Sequence, residues 1–114
     1  MINIPSARRY YLYSNATDMR KSFNGLSGLV NNEMGKDIRS GDGFIFINKR
    51  RTLIKILIWD RSGFVIYYKK LSSGTIQVPD GEESEVSVAV LMMMLEGVDL
   101  KRSYMRKRYG QQRA

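Results

Sequence analysis

The sequence predicts an α+β fold: an antiparallel sheet of about five strands, free to curve strongly, one amphipathic helix packed on it and a second, apolar helix near the C-terminus. Three observations carry this. Apolar residues alternate with a period of two from Gly43 to Leu71, the repeat of strands. Ahead of them, Met19, Phe23, Leu26, Val30 and Met34 recur at the three- and four-residue spacing of one helix face. Behind them, Val88, Val90, Leu91, Met92, Met93, Met94 and Leu95 crowd a single short stretch. A chain of 114 residues has room for one domain and one core, not two. Residues 1–100 are read as that domain and 101–114 as a basic, flexible tail.

The elements follow in order. Residues 8–13 (RRYYLY) are aromatic-rich and read as a first strand. Asn15 or Thr17 offers an N-cap to the first helix, with Asp18 in its first turn suiting the dipole and Gly35 marking its end. Gly25 and Gly28 inside it cost about 1 kcal/mol each against alanine, which points to close packing on the sheet. Phe44 and Phe46 face one side of the next strand, Ile45 and Ile47 the other. The wholly apolar Ile54-Ile56-Ile58 face of the following strand is assigned to the core, against the first helix. Two turns flank that strand: Asn48 to Thr52, and Arg61-Ser62-Gly63 with Gly63 available for positive φ. Strands over Phe64–Leu71 and Thr75–Val78 come next, joined through Ser73-Gly74. Pro79 ends the sheet, an acidic loop follows, and Val86–Leu95 forms the second helix with Ser84 or Ser87 as its cap.

Charge narrows the function. The formal net charge is +8, and four of the eleven acids (Asp80, Glu82, Glu83, Glu85) sit in one loop. Elsewhere nineteen bases face seven acids, an imbalance that favours polyanion binding. There is no cysteine and no histidine, which excludes disulfides, thiolate zinc sites and an imidazole proton shuttle. The acids outside the loop (Asp18, Glu33, Asp37, Asp42, Asp60, Glu96, Asp99) form no close-spaced ligand set for the metal ions that DNA cleavage usually requires. Neither catalytic residues, nor a metal, nor a cofactor are therefore expected, and the chain reads as a non-enzyme. No apolar run approaches the roughly 18 residues that span a bilayer, and the N-terminus lacks a signal-peptide layout. A cytoplasmic protein with no membrane partner is expected.

The strongest candidate site is the turn Lys49-Arg50-Arg51, three adjacent cations on a hairpin tip that cannot bury them. Arg20 and Lys21 could hold phosphate near a helix N-terminus, or simply form a solvated face. Lys55 and Arg61 lie on the same ribbon. Lys101, Arg102, Arg106, Lys107 and Arg108 form a basic stretch interleaved with Tyr104 and Tyr109, suited to non-specific nucleic-acid contact. Tyr10, Tyr11, Tyr13, Trp59, Tyr67 and Tyr68 could stack on unpaired bases, with core or cross-strand pairing as the alternative. Three consecutive methionines cannot all face one core. Met94 and Leu91 are assigned inward, and Met92 and Met93 to a protein interface, with which a homodimer is compatible.

The string TDMRKSFNGL (Thr17 to Leu26), the Phe–basic turn–Leu-Ile-Lys order, Trp59-Asp60 before a Gly turn, and Leu95-Glu96-Gly97-Val98-Asp99 together carry a resemblance. Over about residues 3–100 the chain resembles the small accessory protein of the insertion-sequence sixty-six family of bacterial transposons, often labelled TnpB. The resemblance implies a mobile-element context and a separate, larger transposase. The expected function is non-catalytic assistance of transposition by binding DNA, such as element ends, through the basic hairpin and tail. The alternative is an adaptor that binds the transposase and makes no direct DNA contact.

Overall fold

Five strands and two helices follow one another as β1 (Tyr10–Leu12), α1 (Phe23–Leu29, continued by a π-helical turn over Val30–Met34), β2 (Gly43–Ile47), β3 (Leu53–Asp60), β4 (Gly63–Lys70), β5 (Glu85–Val86) and α2 (Val88–Leu95). This is a computed structural model, and it describes residues 7–79 and 84–98. The strands form one open sheet in the order β4-β3-β2-β1-β5. The α+β class with one sheet and two helices is as the sequence predicts. The sheet is mixed, however, not wholly antiparallel: β1 pairs in parallel with β2, Tyr10 opposite Gly43 and Leu12 opposite Ile45. A parallel pair needs a crossover, and α1 with its flanking loops supplies it.

Side-chain alternation then gives the sheet two apolar faces, and each is covered. Ile45, Ile47, Ile54, Ile56 and Ile58 form one core with Tyr10, Ile76, Val86 and the Leu91, Met94 and Leu95 face of α2. Phe44, Phe46, Tyr11 and Leu57 form a second core with Leu26 and Val30 of α1. Two expectations are corrected here. The chain has two cores, one on each side of the sheet, and the Ile54-Ile56-Ile58 face meets α2 and not the first helix. A sheet covered on both sides by short helices needs few residues per layer, so 114 suffice.

Local departures have local causes. The first helix begins at Phe23, after Ser22, because residues 17–21 are held as a turn: Lys21 N–H bonds to Asp18 O, and Thr17 N–H to Ile47 O. Asp18 is therefore not in a helical first turn. The helix does end at Gly35, which takes the left-handed conformation at φ 62°. Gly25 and Gly28 are not pressed on the sheet: a Cβ on Gly25 would meet the Lys21 stem, and one on Gly28 only Asn32 Nδ2 at 3.9 Å. In the β3–β4 turn Arg61, at φ 50°, takes the left-handed position expected of Gly63, which sits in β4 opposite Asp60. Thr75–Val78 is not a strand. It lays Ile76 into the first core and bonds Ile76 N–H to Arg51 O at 2.6 Å. The fifth strand is instead Glu85–Val86, paired with Tyr11 and Tyr10, so α2 starts two residues later than predicted. Ser87 caps α2, its Oγ accepting Val90 N–H.

Candidate nucleic-acid interface

Asn48 builds the basic hairpin tip. Its Oδ1 accepts the N–H groups of Thr52 and Leu53, each at 2.9 Å, and its Nδ2 donates to Thr52 Oγ1 at 3.1 Å. Arg51 N–H closes the turn on Asn48 O at 3.0 Å, with Arg51 left-handed at φ 58°. These bonds satisfy the loop's own backbone and fix its shape. Lys49 and Arg50 stand exposed on this fixed turn, and among the described residues neither makes an ion pair.

The turn over residues 17–21 is brought beside this tip by Lys55. Its side chain crosses from β3 and donates from Nζ to Met19 O at 2.8 Å and to Lys21 O at 2.9 Å. Lys55 is buried (8% exposed), which removes it from the residues offered to solvent. Its ammonium also lies 4.7 Å from the ring centroid of Tyr68, its cross-strand partner on β4. Arg20, at the crest of the turn, is 91% exposed but held by its own neighbour. Its Nε and Nη2 grip both oxygens of Asp18, with Nη2–Oδ2 at 2.7 Å, while its N–H bonds to Asp18 Oδ1. These bonds hold the Asp18 carboxyl well below the usual range, at about 2, and raise the Arg20 guanidinium in turn.

Between turn and tip lies an open depression of about 580 Å³, lined by Thr17, Arg20, Lys49, Arg50, Leu53 and Tyr68 among others. Thr17 Oγ1 is buried there without a hydrogen-bond partner. The structure thus gathers Arg20, Lys49 and Arg50 from segments thirty residues apart in the chain, which spacing alone did not reveal. Arg51 points elsewhere, lining a depression of about 320 Å³ with Tyr13 and Val78 on the other side of the tip. Lys21 is exposed but stands outside both linings. Arg61 is remote: the eight residues of β3 put it about 26 Å along the strand from Leu53. Lys101, Arg102, Arg106, Lys107 and Arg108 lie outside the described residues.

The aromatic candidates sort clearly. Tyr10 and Tyr11 are buried, Tyr13 packs on Phe46, Tyr67 packs on the first core, and Trp59 packs against Phe64 with the Arg39 guanidinium 5.6 Å from its ring centroid. Only Tyr68, 52% exposed, keeps a ring largely in solvent. On α2, Leu91 and Met94 are fully buried as assigned, Met92 packs against the first core and Met93 is half-buried. The large apolar residue of α2 that stands exposed is Val88, at 59%. Sequence reasoning missed three organising residues: Asn48, Lys55 in its tethering role, and Lys69, whose Nζ donates to Leu95 O at the C-terminus of α2. An Asn four residues before a Thr at a hairpin end was a readable signal for the first. The other two had none.

Fold and surface together define a small α+β protein that presents a basic depression. Among the described residues there is no group of acids able to hold a metal, and no helix long and apolar enough to cross a membrane. The family model described as "IS66 Orf2 like protein" matches residues 8–105, and the chain belongs to that family, the accessory proteins of insertion-sequence sixty-six transposons. Two relatives from Sinorhizobium fredii (strain NBRC 101917 / NGR234) match nearly end to end. The uncharacterized protein y4jC is 29% identical over 104 residues, covering 90% of this chain and 89% of its own. The uncharacterized protein y4hO is 27% identical over 100 residues, covering 84% and 87%. No solved structure matches.

Proposed function

We propose that this chain assists transposition without catalysing it, by holding element DNA on the depression between the 17–21 turn and the 48–52 tip. The observation that carries this reading is convergence: Arg20, Lys49 and Arg50 line one concave surface, although two different segments supply them. Phosphate is the anion this geometry suits. Lys49 and Arg50 supply unpaired positive charge on a turn that cannot collapse onto it, and the Arg20 guanidinium keeps donors beyond those Asp18 occupies. The basic tail would add non-specific contacts.

The test is fluorescence anisotropy with two labelled duplexes, one carrying the terminal repeat of the parent element and one scrambled, at low and near-physiological salt. Salt-sensitive binding is expected, with the slope of log K against log salt falling by about 0.9 for each of Lys49 and Arg50 replaced by alanine. Preference for the terminal repeat would mark an end-specific factor, and equal binding a general clamp. Absence of binding at low salt would sink the proposal and favour the adaptor reading. That second reading has its own supports in the edge of β4, unpaired among the described residues, and the exposed Val88 on α2. Met93, half-buried on the same helix, could join such a contact more readily than Met92. Transposase association that survives loss of the basic residues would establish it.

A further inference from the structure

We propose that the depression accepts an unpaired nucleobase, stacked on Tyr68, with the flanking phosphates on Lys49 and Arg50. This rests on the DNA-binding reading above and goes beyond it by naming the form of DNA recognised. Tyr68 is anomalous for its position. The same face of the sheet packs Phe44 and Phe46 into the second core and closes Phe23, Phe64 and Trp59 into one aromatic cluster, with ring centroids 4.3 and 4.8 Å apart. Of the aromatic rings on that face, Tyr68 is the one left exposed, at 52%.

Its surroundings prepare it for one ligand class. Lys55, directly opposite on β3, sets its ammonium over the ring at 4.7 Å and holds the side facing the sheet. Among the described residues β4 is the edge strand, and the rest of the Tyr68 ring is left to solvent and to the depression it helps to line. Lys55 is in turn fixed by two main-chain carbonyls, so the ring leans on an anchored cation and not on a mobile one. A flat π face beside Lys49, Arg50 and Arg20, in a depression of about 580 Å³, matches a base and its adjoining phosphates. A base locked in a duplex cannot offer its face to this ring. An unpaired one, at a frayed end or in a single strand, can.

Electrostatics alone would predict the opposite preference, since duplex DNA carries the denser charge. The experiment therefore compares two fluorescently labelled probes against the full chain at one low salt concentration. One is an oligothymidylate of about 12 nucleotides, within the roughly 4–16 that single-strand-binding folds occupy, and the other a blunt duplex of equal length. The intact protein should bind the single strand more tightly. Tyr68→Leu should weaken single-strand binding at least about fivefold and leave duplex binding within about twofold, whereas Tyr68→Phe, which keeps the ring, should match the parent. Equal or tighter duplex binding by the parent, or an equal effect of Tyr68→Leu on both probes, would overturn the proposal. So would an unchanged pair of affinities with a lowered melting temperature, the result expected if the ring only shields Lys55. Failure of both probes to bind would remove the DNA reading beneath it as well.

Discussion

Replacing Lys55 by methionine keeps the aliphatic stem that fills its place on the sheet and deletes only the ammonium. The structure sets the cost. Two charge-assisted bonds disappear, to Met19 O and Lys21 O, together with the contact over Tyr68. Bonds to a charged donor contribute about 1.5–3 kcal/mol each. Against this, the buried ammonium no longer has to be desolvated, and the carbonyl of exposed Lys21 can return to water. A net loss of about 2–4 kcal/mol is expected. For a domain of this size each kcal/mol lowers the melting temperature by about 4 °C, so K55M should melt roughly 8–16 °C lower by circular dichroism.

The loss should also be local. Lys55 is what fastens the 17–21 turn to β3, so brief tryptic digestion, read by mass spectrometry, should show faster cleavage after Arg20 and Lys21 in K55M than in the parent. A melting temperature within about 1 °C of the parent, or above it, would show that desolvation cancels the bonds and would refute the tethering role. Cleavage accelerated equally at all sites would place the effect in global stability instead.

Two glycine substitutions should move stability in opposite directions. An alanine Cβ at Gly43 would lie 2.5 Å from the ring of buried Tyr10, so G43A should cost about 1–3 kcal/mol in chemical denaturation. At Gly28 the new methyl meets nothing closer than 3.9 Å, and G28A should gain about 0.5–1 kcal/mol from helix propensity, read the same way. Burial raises the Tyr10 and Tyr67 hydroxyls above their ordinary 10.0. The folded chain therefore holds those protons more tightly than the unfolded one: their contribution is complete below pH 10 and is lost as pH rises through the raised values. Melting temperature should fall on the alkaline side of about pH 10, and a flat profile there would contradict the burial of these rings.

How much of this was legible depends on whether the determining contacts are local. The period-two alternation placed β2, β3 and β4 and their facing residues, because a strand's pattern is written in its own side chains. Gly35 and Ser87 marked helix ends through cap chemistry that spans three or four residues. Pairing partners were not written that way. Nothing in Tyr10–Leu12 announces a parallel neighbour thirty-three residues on, and Glu85 and Val86, read as the end of the acidic loop and the start of the helix, pair as a strand with β1. The same holds for the site. Cations on a hairpin tip were readable, but Lys55 looked equally available until two carbonyls from a distant turn claimed it. Alternation sets Lys55 on one face with Leu57 and Trp59, but it does not tell that this face, too, is covered.

The string Thr17–Lys21 works mostly through its main chain, and that determines what Arg20 can do. Thr17 N–H and the carbonyls of Met19 and Lys21 join the turn to β2 and β3, and the Met19 side chain packs on the second core. Arg20 is left pointing outward, paired with Asp18, so the two side chains add almost no net charge to the depression. Long-range attraction there comes from Lys49 and Arg50, while Arg20 offers directional donors at short range. Asp18 then has two opposed effects on a phosphate bound at Arg20: it repels the phosphate and it fixes the guanidinium. At a separation of about 7 Å in water the repulsion corresponds to roughly threefold in affinity, whereas an arginine of 91% exposure is fixed only loosely by one ion pair. D18N should therefore tighten duplex binding by about threefold, and R20A should lower the salt slope by less than the 0.9 or so expected for K49A or R50A. Anisotropy titrations on these four variants decide the matter. If D18N weakens binding as much as R20A does, Asp18 is a positioning residue whose grip outweighs its charge, and the ion pair is a part of the site and not a competitor for it.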